Sequence, residues 1–313
     1  MIPIIDTFLF SEPHEAELLL AKLHVEQDLV THWVAIENAY TTKGVWKGTC
    51  LEAVLKDERF APFLDRLVVL SLDVRFHDDY RLSLKGQLGK AARRAMRASA
   101  SLRGYKERPY FFAERKQREA ATEAMYDLSG GRGWVIISDV DEMVDGSNPY
   151  RRNLIDRATS MANVLHLPRR RFVYDFDNVS IAPFRYVPMV RIDSLARASL
   201  GTFRLTPTGV PACLEPLAFE YSYCYNREAI ERKLMTFTHV DPGVQVVDRA
   251  LECNHAPVTD ETLKNYHWYE TVGAEEAGHP VYISEHIGEL KTGVVNPEYR
   301  LARARQYPQL FGS

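Results

Sequence analysis

Short runs in which nearly every residue is apolar alternate, along the first half of this chain, with stretches of helical periodicity. Ile2–Phe10, Trp33–Ile36 and Leu67–Val74 read as strands, and Glu15–His24, with its leucines grouped, reads as a helix between the first two. A strand that is apolar on both faces is one covered on both sides, as in a parallel sheet. In the second half the strand-like runs follow one another: Asn163–Leu167 and Arg171–Phe176 bracket a basic turn, and Val187–Ile192 and Phe219–Tyr225 come after. Asn226 can cap a helix through Phe237, and Thr259 another through about Thr271. This pattern predicts an α/β fold, with a mostly parallel central sheet, a mixed edge and flanking helices. No linker rich in Pro, Gly or Ser divides the chain, so residues 1–313 are read as a single domain.

One run ends unlike the others. Trp134–Ile137 leaves a glycine-rich turn, Gly130–Gly133, and passes through Ser138 into Asp139-Val140-Asp141-Glu142. On extended backbone, residues two apart share a side, so Asp139 and Asp141 would aim both carboxylates beyond the strand's C-terminal end. Ligands of open α/β sheets bind there. Two hard oxygen donors with Glu142 beside them suit Mg²⁺ or Mn²⁺, ions that keep positions open for substrate phosphates. The plain alternative is an acidic exit from a strand.

Composition narrows the class. With 46% hydrophobic and 26% charged residues in 313, the chain has ordinary globular usage, and a net charge of −3 makes no general case for nucleic acid or membrane. Met1–Phe10 has no basic start or small-residue cleavage site, and no run approaches membrane-spanning length, so the chain reads as a cytoplasmic protein without a membrane partner. Cys50, Cys213, Cys224 and Cys253 show no C-x-x-C spacing, which points to buried or partly buried thiols. Charge is nonetheless segregated: Lys85–Arg118 holds eleven Lys or Arg against Glu107 and Glu114. Within a helical segment at about 83–109, Lys90, Arg93, Arg94 and Arg97 would line one face, opposite Leu84, Leu88, Ala91 and Ala95. Such a face is either solvated or binds an anionic acceptor such as DNA, RNA or an acidic polysaccharide. Arg169, Arg170 and Arg171 form a second place where an anion could bind.

Four motifs then occur in order: Ile4-Ile5-Asp6-Thr7-Phe8-Leu9-Phe10, Trp33-Val34-Ala35-Ile36-Glu37-Asn38, Glu114-Arg115-Lys116-Gln117-Arg118, and Ile136–Glu142. Together they resemble the landmarks of glycosyltransferase family 17, the bisecting β-1,4-N-acetylglucosaminyltransferases, with weaker likeness continuing past Phe219. The resemblance implies a GT-A type nucleotide-sugar fold and an inverting, metal-dependent transfer from a nucleotide-sugar donor, a UDP-sugar, to a glycan or small hydroxylated acceptor. It makes Asp139 and Asp141 the ligands of Mn²⁺ or Mg²⁺, with Asp139 also facing the donor. It sets Asp6 and Glu37 at the nucleotide end and Arg118 against the donor diphosphate. Where relatives show Gly-Trp-His before an aromatic and Ser, this chain has Ala218-Phe219-Glu220-Tyr221-Ser222. Glu220 is therefore the candidate general base, with Asp241 next in line, and His239 could complete the metal shell. The same chemistry on hydroxylated bases of DNA is one alternative, and a non-catalytic nucleic-acid-binding protein on a transferase scaffold is another.

Overall fold

The computed structural model describes residues 2–76, 78–79, 109–173, 175–180, 185–196, 198–205, 209–225, 227–236 and 269–294. Its strands are β1 (Ile4–Phe10), β2 (His32–Asn38), β3 (Leu67–Leu72), β4 (Trp134–Ile137), β5 (Glu142–Val144), β6 (Val164–Val173), β7 (Asp175–Ser180), β8 (Arg185–Arg191), β9 (Val210–Pro211), β10 (Ala218–Ser222) and β11 (Tyr269–Thr271). The main helices are α1 (Ala16–Glu26), α2 (Pro109–Glu119), α3 (Thr122–Ser129), α4 (Pro149–Thr159), α5 (Leu200–Leu205), α6 (Arg227–Thr236) and α7 (Val281–Val294). All the strands belong to one sheet, in the order β11-β7-β6-β8-β4-β1-β2-β3, with β10 between β5 and β6 and β9 beside β6.

The sheet is parallel through β3-β2-β1-β4, and the first antiparallel neighbour is β8, beside β4. Side chains alternate across it. Phe8, Phe10, Trp33, Ala35, Trp134 and Ile136 pack on one face with Leu19, Leu20 and Leu23 of α1. Ile5, Val34, Ile36, Val135 and Ile137 pack on the other with Ala121 and Met125. Burial on both faces is why these strands have almost no polar positions, the property that made them legible. The turn into β4 needs glycine: Gly133 has φ 112°, and a Cβ there would stand 2.3 Å from the carbonyl oxygen of Pro3.

Three expectations are revised. The segment 163–176 has no basic turn, because β6 runs unbroken from Val164 to Val173 and is paired by β8, β7, β9 and β10. Arg169–Arg171 are thus mid-strand residues, held extended by partners far along the chain. The helix from Thr259 to about Thr271 fails at its end, since Tyr269–Thr271 pairs antiparallel with β7 as β11. Its remainder lies outside the described residues, as does the basic helix with Lys90, Arg93, Arg94 and Arg97. Third, the D-x-D residues lie beyond the strand: β4 stops at Ile137, and Glu142 N–H donates to the Asp139 carbonyl (3.0 Å), closing a turn. Cys50 and Cys213 are half-buried and Cys224 buried, all free thiols. No helix among the described residues is long and apolar enough to cross a membrane.

Candidate functional site

A pocket of about 280 Å³ opens where the C-terminal ends of β1, β2 and β4 converge, with the D-x-D turn on its wall. The register of β10 builds the opposite side. Glu220 lies beside Glu142 of antiparallel β5 and beside Arg171 of parallel β6, and Arg169 sits two residues back on the same face of β6. One strand pairing therefore gathers acids and guanidinium groups separated by up to about eighty positions in the chain.

Asp139 is gripped from two directions. Arg118 of α2 pairs with its Oδ1, and Arg204 of α5 pairs with Oδ2 at 2.6 Å while also reaching Glu142 at 2.9 Å. Burial would raise the Asp139 carboxyl, but Arg204 and Arg118 outweigh it and hold it well below the ordinary carboxylate range. Asp141 differs. Lys233 of α6 pairs with its Oδ2 at 2.6 Å, yet burial and the neighbouring Asp139 and Glu220 charges leave its carboxyl raised. Both aspartates line the pocket, as the motif implied. They reach it through the turn instead of through strand alternation, and buried Val140 anchors the turn between them.

Arg118 also lines the pocket, but it is only 1% exposed. Its nitrogens are committed to Glu114, to the Ser138 carbonyl (2.8 Å) and to Asp139. It orients Asp139 and has little left for a diphosphate. Arg204 and Lys233, each more open to the pocket, are better placed for that contact. Sequence reasoning singled out neither as a pocket residue. Arg204 carries no motif, and Lys233 opens the stretch through Asp241 that continues the weaker family likeness but suggests no role for it.

Glu220 is also recast. Ser222 Oγ donates to its Oε1 at 2.7 Å, Arg169 holds Oε2 at 2.9 Å, and Arg171 approaches Oε1 at 3.3 Å. Burial pushes its carboxyl up, but Arg169, Arg171 and the Ser222 bond prevail and draw it down to about 2. A carboxylate held that low accepts a proton poorly. It serves to hold two guanidinium groups at the pocket wall.

Asp6 and Glu37 do not reach the wall. Asp6 is fully buried, paired with Lys22 at 2.5 Å and accepting from Ser138 Oγ at 2.8 Å. Glu37 accepts from the backbone N–H of Cys50 (2.7 Å) and Leu51 (3.0 Å), tying the loop after β2 to the strand end. Both stand under the site and shape it. His239 and Asp241 lie outside the described residues.

The donor set can be weighed for a divalent ion. No three His, Cys, Asp or Glu side chains among the described residues are grouped to hold one unaided. Ions such as Mg²⁺ are commonly held by one or two carboxylates with substrate phosphates and waters, so Asp139 and Asp141 fit that style of site. Charge points the same way. The wall carries six cations, Lys47, Arg118, Arg169, Arg171, Arg204 and Lys233, against seven carboxylates, Glu12, Glu15, Glu114, Asp139, Asp141, Glu142 and Glu220. A bound diphosphate would add negative charge that these residues alone do not offset.

No protein-family model matches the chain, and no curated protein matches it. The likeness to family 17 is therefore one of motif order alone. Among solved structures, mouse xyloside xylosyltransferase 1 in its apo form is similar at 11% identity over 66% of this chain and 72% of that one, with a TM-score of 0.27. So loose an overlap leaves both fold and function to be argued from topology and site. The topology is mixed α/β, with a parallel set of strands, a mixed edge and flanking helices.

Proposed function

We propose that this chain is a glycosyltransferase that moves a sugar from a nucleotide-diphosphate donor to a hydroxyl acceptor by inverting displacement. The observation that carries the reading is the pairing of two pocket-facing aspartates, at the turn after β4, with cations drawn from three separate helices. Asp139 and Asp141 would hold Mg²⁺ or Mn²⁺, which when bound neutralises the diphosphate leaving group. Arg204 and Lys233 would donate charge-assisted hydrogen bonds to the departing phosphate oxygens, Arg118 keeps Asp139 in its rotamer, and Asn38 and Tyr40 at the end of β2 line the side for the nucleoside. The donor class, a UDP-sugar, comes from the motif resemblance, and the acceptor is a glycan or small hydroxylated molecule. The DNA variant depends on the basic helix, which lies outside the described residues.

The test is a thermal-shift titration of nucleotide sugars and nucleoside diphosphates with and without Mn²⁺. A ligand bound only by the native state raises its melting temperature by mass action. A Mn²⁺-dependent shift with a nucleoside diphosphate, lost in Asp141→Asn, is the expected result. No shift with any nucleotide would remove the reading.

A further inference from the structure

A displacement at the sugar needs a group that takes the acceptor proton, and Glu220 is tied up by Arg169, Arg171 and Ser222. The same pocket holds another carboxylate. Glu15 follows the C-terminal end of β1, where the chain turns through Ser11–His14, and it is buried on the pocket wall. Its Oε2 accepts the backbone N–H of Ser11 at 2.7 Å and of Glu12 at 3.4 Å, which fixes the side chain through that one oxygen.

We propose that Glu15 is the general base of the transfer, an inference that rests on the glycosyltransferase reading and assigns its missing proton acceptor. The acceptor O–H proton passes to Glu15 Oε1 as the acceptor oxygen bonds to the anomeric carbon. The anomeric C–O bond to the diphosphate breaks, and its electron pair leaves on the phosphate oxygen. Glu15 then releases the proton to solvent.

The surroundings suit that task. Burial raises the Glu15 carboxyl, Lys233 from α6 and the Ser11 and Glu12 N–H groups pull it down, Asp141 from the D-x-D turn pushes it up, and it settles at about 7. A base near neutrality is ionised often enough to act and basic enough to hold a proton. His14 beside it is a weaker acceptor. Burial, with Lys233 and Arg232, lowers its imidazole to about 4.

Glu15 also has an ordinary role, since its bonds to Ser11 and Glu12 close the turn into α1, so the test separates capping from catalysis. Gln keeps an oxygen acceptor for both N–H groups and loses only the basicity. Release of nucleotide from a panel of UDP- and GDP-sugars with Mn²⁺ is measured in the full chain and in Glu15→Gln across about pH 5 to 9. The expected result is a loss of about a hundredfold or more in turnover, with an unchanged thermal shift by the nucleoside diphosphate and loss of the acid limb of the pH profile. Turnover within a fewfold of the parent overturns the assignment of Glu15 alone, whereas no turnover by the parent with any sugar removes the glycosyltransferase reading as well. Should Glu15→Gln fail to fold, the parent's own profile decides: an acid limb near 7 supports Glu15, and one below about 5 overturns it.

Discussion

Two lysine–aspartate pairs in this protein look alike on paper and differ in what surrounds them. Lys22 and Asp6 are both 0% exposed, and the ammonium is also bound by Glu26 (2.9 Å), Ser138 Oγ (3.0 Å) and the Glu142 carbonyl (2.6 Å). Glu26 is satisfied in turn by Trp33 Nε1 and Val144 N–H. Lys233 and Asp141 are 12% and 7% exposed, on a pocket wall, and the lysine also lies over the rings of Tyr223 and Tyr225 at 5.6 and 5.1 Å. A cage of fixed acceptors makes a pair structural. A pair with one open side can exchange its partner for a ligand. Tyr223, at φ 56°, has the left-handed backbone that side chains rarely adopt, and it too stands on the pocket wall.

The contrast makes its largest prediction at the buried pair. Lys22→Met leaves Asp6 and Glu26 without their counter-charge, at a cost of roughly 3–5 kcal/mol. In urea titration the midpoint should fall with an unchanged slope, while turnover per folded molecule survives. A loss below about 1 kcal/mol would erase the distinction between the two pairs.

Asp141→Asn should behave in the opposite way. Its volume is kept and Lys233 can turn toward the pocket, so stability should change little. Transfer should fall by about a hundredfold or more, near 3 kcal/mol on the barrier. Normal Mn²⁺-dependent turnover in the folded variant would end the metal assignment.

A smaller effect is expected at Glu220. Its carboxyl is lowered from the ordinary carboxylate range to about 2 in the fold, so its contribution is present above the ordinary value and is lost as pH falls through about 2. Stability measured across that acid window should drop by a few kcal/mol in the parent, and less steeply in Glu220→Gln. Equal slopes would mean that Arg169 and Arg171 do not hold this carboxylate.

The smallest is at the surface, where Arg59 pairs with Glu17 and Asp57, both at 2.7 Å, and is 50% exposed. Arg59→Ala should cost under about 1 kcal/mol, less still at high salt. A larger loss would make exposure a poor guide to what an ion pair contributes here.

Read by itself, the sequence determined the doubly apolar strands β1, β2 and β4, the glycine turn before β4, and Asp139 and Asp141 as the residues to watch. These are local facts: burial on both faces writes itself into consecutive residues, and so does a glycine needed for positive φ. The continuity of β6 was not legible, because pairing by β7, β8, β9 and β10 overrides the turn that three arginines seemed to mark. Nor were the partners of the aspartates. Arg204 lies 65 residues from Asp139, and Lys233 lies 92 from Asp141, with nothing in the intervening chain to announce the meeting. Asp6 and Glu220 were picked out as site residues, yet a lysine in α1 and two arginines on β6 gave them other work. Tertiary structure decided these points because a carboxylate's role depends on which charges, N–H groups and waters surround it, and those are brought together by strand order and helix docking.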